Sequence, residues 1–175
     1  MRYKLKDGLE VKILYSPRKI PVKMLQKFIN GLIAEGAWIL RTEKVTLEEE
    51  KGWKKAKLSD LRKNKAIFTI AVCRKEIAGM CEGRKEDGRE RANVGIGISV
   101  SKKFRRKGLG EFLLKTTIER ARKKFDPKNI FLSVAEPNNA ARRLYAKVGF
   151  KKIARFPNWI EHRGKYYAKL WMVLK

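Results

Sequence analysis

The stretch Val-Ser-Lys-Lys-Phe-Arg-Arg-Lys-Gly-Leu-Gly, residues 100–110, joins two different kinds of sequence. Upstream of it, Val94–Val100 (Val-Gly-Ile-Gly-Ile-Ser-Val) is short, apolar and β-branched, which predicts a buried strand. Downstream, Leu114, Ile118, Ala121 and Phe125 recur at spacings of four, three and four, which draws one face of a helix. A strand that turns through basic residues and glycines into a helix is a candidate anion site. Free backbone N–H groups and the helix dipole favour negative charge there, and glycine lets a phosphate come close to the backbone. Arg105, Arg106 and Lys107 add cations. The turn is not a Walker loop and lacks G-x-G-x-x-G, so a Rossmann dinucleotide site is unsupported. On its own R-x-x-G-x-G is a weak pattern, and a glycine turn with exposed cations accounts for it equally well.

The rest of the chain follows without a visible linker or repeat. Leu9–Tyr15 reads as a strand. Pro21 opens an apolar helical run through Met24, Leu25, Phe28, Ile29, Leu32 and Ile33. Thr46-Leu-Glu-Glu is a capping box that starts a second helix running towards Lys63. Ala66–Cys73 and Ile77–Glu82 look like an antiparallel pair, followed by a charged loop over 83–88. Asp126-Pro127 ends the third helix, and Ile130–Ala135 is a strand. Asn138 or Asn139 caps a fourth helix with Ala141, Leu144, Tyr145 and Val148 inward and Gly149 at its close. Phe150–Ala154 and Tyr166–Leu174 are the last strands. Strands alternate with helices only in the second half. The fold class expected is therefore α/β of a mixed, α+β kind, in a single domain over 1–175.

Composition narrows the partners. The 175 residues carry 44 Lys and Arg against 18 Asp and Glu, a net charge of +26, yet 43 % are apolar. That is too hydrophobic for a disordered chain. From Ser101 onward there are 21 basic and five acidic residues, a field that attracts anions. No apolar window reaches membrane-spanning length and no secretory signal is seen. Two cysteines and the single His162 are too few for a disulfide framework or a Cys/His zinc site, so no metal is expected. A reducing cytoplasm is the expected setting. The lone glutamine, Gln26, beside so many lysines hints at a thermophilic source.

A second block sharpens the reading: Asn138-Asn-Ala-Ala-Arg-Arg-Leu-Tyr-Ala-Lys-Val-Gly-Phe150. It resembles the N-x-x-A-x-x-L-Y-x-K-x-G-F pattern of the GNAT superfamily of acyl-coenzyme A-dependent N-acetyltransferases. Arg105–Gly110 resembles that family's Q/R-x-x-G-x-G/A signature, at the right separation. The resemblance implies a splayed mixed sheet of about six or seven strands with about four helices. The core for acetyl-CoA would lie over about 66–150, with acceptor-side helices over 21–63 and an acceptor loop over 155–165. It implies that pantetheine runs along Ile98, Ser99 and Val100, and that the pyrophosphate sits on Arg105, Arg106, Lys107, Gly108, Leu109 and Gly110. Asn138 would touch the pantetheine or the acceptor, and Tyr145 would stand near the thioester sulfur as the acid for the leaving thiolate. Tyr145 is otherwise a core aromatic.

Many members carry a glutamate on the strand before the glycine turn. Here Gly95 stands there, so Glu82, His162 or a water chain is the remaining candidate base. His162 and the aromatics Phe156 and Trp159 fall in the acceptor loop, while Trp38 and Trp53 read as core. The expected function is acetyl transfer to a protein N-terminal or lysine amine, by a monomer or homodimer. The alternatives are a polyamine or aminoglycoside-like acceptor, or a non-catalytic RNA-binding module on the same fold. Arg120, Arg122, Lys123, Lys124, Arg142, Arg143, Lys151, Lys152 and Arg155 are expected to form one basic face for a ribosome, RNA or an acidic protein.

Overall fold

Alternation in Glu10–Leu14 (β2) turns Val11 and Ile13 into the core and Glu10 and Lys12 to solvent. β2 pairs on one side with Arg2–Lys4 (β1) and on the other with Ala66–Cys73 (β3). The computed structural model describes residues 1–174. β3 is apolar except for Thr69, because both its faces are covered. It pairs with Glu76–Lys85 (β4), which pairs with Asn93–Val100 (β5). Asn129–Ala135 (β6), Phe150–His162 (β7) and Lys165–Leu174 (β8) complete one eight-stranded sheet in the order β1-β2-β3-β4-β5-β6-β8-β7. Every pairing is antiparallel except β5 with β6, which is parallel and lasts only from Asn93–Asn129 to Gly95–Phe131. Beyond that the two strands part.

Helices Val22–Ala34 (α1) and Leu47–Arg62 (α2) cover one face of the sheet, where Leu25, Phe28 and Trp53 pack on Phe68, Ile70 and Ile77. The Thr46–Glu49 capping box is formed in both directions. Helices Leu109–Phe125 (α3) and Asn139–Val148 (α4) cover the other face, with Leu113, Leu114, Ile118 and Tyr145 against Ile67, Ala71, Cys81 and Ile96. Within that second core the Thr117 hydroxyl bonds the Thr69 hydroxyl at 2.8 Å, both fully buried. Thr117→Val would leave Thr69 unpaired and is expected to destabilise the fold by about 1–3 kcal/mol in denaturant titration. The Thr69→Val, Thr117→Val double variant should recover most of that, because neither buried hydroxyl is then stranded.

Two expectations change. There are eight strands, because Arg2–Lys4 adds an edge strand that shows no apolar alternation. Tyr3 anchors it by stacking on Phe112, with ring centroids 3.8 Å apart and planes within 16°. The expected loop over 155–165 is mostly strand. Pro157 and Asn158 signalled a loop, but they sit in a register shift between Phe156 and Ile160 on the edge strand, with Asn158 at φ +53°. Proline is tolerated at such a bulge because no ladder donor is needed there. The hairpin closes on Arg163 and Gly164 alone, at φ +54° and +73°, the two positive values of a two-residue turn.

Candidate active site

The β5–α3 turn is pinned before it is opened. Ser101 donates its hydroxyl to Ile77 O at 2.8 Å and its amide to Ala78 O at 3.0 Å, and Phe104 is buried beneath the following short turn. Arg106 at φ +60° and Gly108 at φ +82° then fold the backbone through the left-handed region. The first amide of the helix to find a partner is Phe112, on Gly108 O at 3.1 Å. Among the described residues, the amides of 106–111 have no acceptor. Six free donors at the start of a 17-residue helix form a concave anion nest.

The cations expected around this turn do not all face it. Arg105 donates through Nε to Val100 O at 2.9 Å, and its guanidinium pairs with Glu35 at the end of α1. Lys107 pairs with Asp7 at 2.7 Å, and its carbonyl accepts from the Lys6 amide at 3.2 Å. Arg106 stays exposed. Glu111, the one acid in the first turn, is held by Lys115 and Lys147, and these partners bring its carboxyl down to about 2. Its charge beside the nest is therefore always matched. Gly108 is required by conformation, since a Cβ there would point at Lys6 and Tyr3, about 3.5 Å away, and not into the nest. Gly110 is the close-approach glycine, with Leu144 and Val100 at 3.2 and 3.8 Å from where a Cβ would stand.

The anion nest opens onto the gap between β5 and β6. Antiparallel ladders alternate, so the bond from Ser101 N to Ala78 O fixes which residues of β5 bond β4. Ser99 belongs to the same set. Ile98 and Val100 therefore turn their N–H groups the other way, towards the gap that β6 has left. Tyr145 reaches this region from α4, beside Cys81, which lies opposite Ile98. Its ring is buried, yet its hydroxyl makes no bond among the described residues and is not sealed from solvent. Burial, with Cys81 alongside, raises the hydroxyl well above the ordinary tyrosine range, so it stays protonated. Burial likewise pushes the Cys81 thiol up to about 12, which leaves no nucleophilic thiolate. Asn138 caps α4, accepting from Ala141 N at 3.2 Å, and its side-chain amide N–H groups remain available.

On the opposite face, Gly95, Gly97 and Ser99 present almost bare backbone. Glu82 stands directly across from Gly97 and on the same side of the sheet. Lys57 of α2 holds its carboxylate with both oxygens, at 2.7 and 3.0 Å, and both side chains are mostly buried. A Cβ on Gly97 would meet nothing within 4 Å, so the space above it is open for an acceptor.

The α1–α2 loop crosses the mouth of the splay. At one end Glu35 ties it to Arg105. At the other, Trp38 stacks on His162 at 4.2 Å and meets Tyr167 edge-on at 5.3 Å, and the Arg163 guanidinium lies on Gly36. Trp38, read as core from the sequence, is instead a clasp between this loop and the β7–β8 hairpin. Trp53 does pack on Phe68. Lys57 and the pairing of Trp38 with His162 carried no sequence signal, since a lysine among so many and a tryptophan in a loop acquire meaning only through register.

The sequence profile of the acetyltransferase (GNAT) family matches residues 34–150, from the crossing loop through the end of α4. The chain belongs to this family. An N-alpha-acetyltransferase of Sulfurisphaera tokodaii is 27 % identical over 103 residues, which span 53 % of this chain and 61 % of that relative. A Salmonella typhimurium protein solved with its cofactor acetyl-CoA superposes with a TM-score of 0.78 at 18 % identity, over 94 % of this chain and 93 % of that one. A ribosomal-protein-alanine N-acetyltransferase of Brucella melitensis does so at 0.78 and 19 %, over 93 % and 98 %. The GNAT fold thus extends over nearly the whole chain. Among the described residues, no helix is long and apolar enough to cross a membrane.

Proposed function

We propose that this GNAT protein is an acetyl-CoA-dependent N-acetyltransferase whose acceptor is the α-amine at the start of a polypeptide. The crossing loop carries the choice of acceptor. With Trp38 clasped to His162, the acceptor face is roofed, and a slim chain end threads beneath it where a lysine on a broad folded surface is held off. Bound acetyl-CoA supplies an activated acetyl thioester. The nest at 106–111 suits its pyrophosphate, and the outward N–H groups of Ile98 and Val100 suit strand-like pairing with its pantetheine.

The Val100 N–H is the donor placed for charge developing on the carbonyl oxygen. Glu82, set over Gly97 where a β5 side chain is missing, takes the ammonium proton through water, and Lys57 holds its carboxylate in place. Tyr145 gives its proton to the departing thiolate. A polycationic small amine is a weaker fit, because a +26 protein repels it.

Thiol release measured with peptides bearing one free α-amine, peptides bearing only a lysine ε-amine, and spermidine tests the reading. The first should win, and preference for either other acceptor overturns it. Trp38→Ala, by opening the clasp, should narrow the margin between α- and ε-amine peptides. Activity should rise with pH along the acceptor's own titration, because an α-amine near 8 needs about 3 kcal/mol less help than a lysine near 10.4. Tyr145, held protonated, should add no falling limb below about pH 10. In Glu82→Gln the loss should be greatest at low pH, where the amine most needs a base, and a uniform loss would make Glu82 structural.

A further inference from the structure

The strong positive charge is not used up by the site. The sequence carries 44 cations, and among the described residues twelve are ion-paired. The single basic face expected from sequence is broken. Arg120 turns inward, donating to Phe68 O and lying 4.1 Å over the Tyr15 ring. Arg142 is bonded to Glu136 O, and Arg155 to the Glu136 carboxylate.

A different feature gathers unpaired charge. A groove of about 290 Å³ runs between α2 and the segment leading into α1. Its α2 wall is Lys51, Lys54, Lys55, Leu58 and Arg62, a single stripe at helical spacing, and Arg18 and Val22 face it. No acid lines it. Lys54 is drawn down to bond Ile20 O at 2.6 Å, and Lys51 has only an exposed partner in Glu48. Arg18, Lys55 and Arg62 are exposed and carry no ion pair. Lys57, which serves Glu82, projects from the other flank of α2, so this groove faces away from the acceptor cleft.

We propose that this groove docks the phosphate backbone of an RNA strand. At 1.5 Å rise per residue, Lys55 lies about 6 Å from Lys51 and Arg62 about 10 Å further on. The row of about 16 Å runs beside several successive phosphates of one strand. Both walls are helical or turn backbone, with no open strand edge to pair with the main chain of an acidic peptide. A phosphate strand needs only the cations, while Leu58 and Val22 offer an apolar floor to the sugars. No exposed aromatic lines the groove, so the contact reads charge and not base sequence.

The test is fluorescence anisotropy of a labelled 12-nucleotide single-stranded RNA with the full chain, without cofactor, so that it stands or falls separately from acetyl transfer. If Arg18, Lys51, Lys55 and Arg62 each meet a phosphate, affinity should fall about 50-fold between about 50 and 200 mM salt, a log–log slope near −2.8. Lys55→Glu with Arg62→Glu should weaken binding by more than tenfold and bring the slope to about −1.4. Thiol release with a short uncharged peptide should be unchanged, which shows the variant folded. Three outcomes overturn the proposal. The RNA does not bind at 50 mM salt; the groove variant binds as well as the parent while Lys123→Glu with Lys151→Glu does not; or poly-glutamate of equal charge displaces the RNA as readily as more RNA does, which would point to an acidic protein.

Discussion

Tyr145→Phe is expected to lower turnover by about 10²–10⁴-fold, the usual range for a general acid, with cofactor affinity and stability near those of the parent. Geometry separates the two effects. The ring fills the α3–α4 core against Phe150 at 6.1 Å, and phenylalanine keeps that packing. Among the described residues the hydroxyl has no hydrogen-bond partner, so its removal strands no buried group. Steady-state kinetics at saturating acetyl-CoA and acceptor, beside a thermal melt, check this. Parental turnover in the variant would leave Tyr145 as packing alone.

Gly108→Val is expected to raise the dissociation constant for acetyl-CoA by about 10²–10⁴-fold while the circular dichroism spectrum stays that of a folded protein. The cause is backbone conformation. Gly108 holds φ +82°, which a β-branched residue reaches only with strain. The turn relaxes by rotating peptide units, so several of the free amides at 106–111 no longer converge. Hydrogen bonds to a charged group contribute about 1.5–3 kcal/mol each, and losing two gives the stated range. Gly108→Asn, which tolerates this region better, should keep much of the affinity in the same calorimetric titration. Equal losses in the two variants would show that conformation is not the reason for this glycine.

The elements that build the nest were legible because their signals are local. Alternation and β-branching gave β5, four-and-three spacing gave α3, and Gly108 marked the join. The Asn138–Phe150 block placed Tyr145 on its helix. What stayed hidden depends on pairs distant in the chain. Glu82 gains its meaning from register opposite Gly97 and from Lys57, 25 residues earlier on another element. Arg105 reads as a phosphate ligand until Glu35, 70 residues away, takes its guanidinium. Pro157 is a loop signal that an edge strand can absorb. Trp38 looks like core until the β7–β8 hairpin proves long enough to reach it.

The short parallel seam between β5 and β6 also bears on how the protein breathes. Three register pairs join a five-stranded half-sheet to a three-stranded one, so this seam is a natural boundary between cooperative unfolding units. A molecule lodged in the gap and gripped by both halves acts as a staple. By mass action its presence at 100 times the dissociation constant adds about 2.7 kcal/mol to the folded state. Hydrogen exchange at Ile98, Val100 and the amides of 106–111 would then slow together. If the gap holds the acyl donor as proposed, the site and this seam coincide, and resistance to heat and proteolysis becomes a readout of donor occupancy.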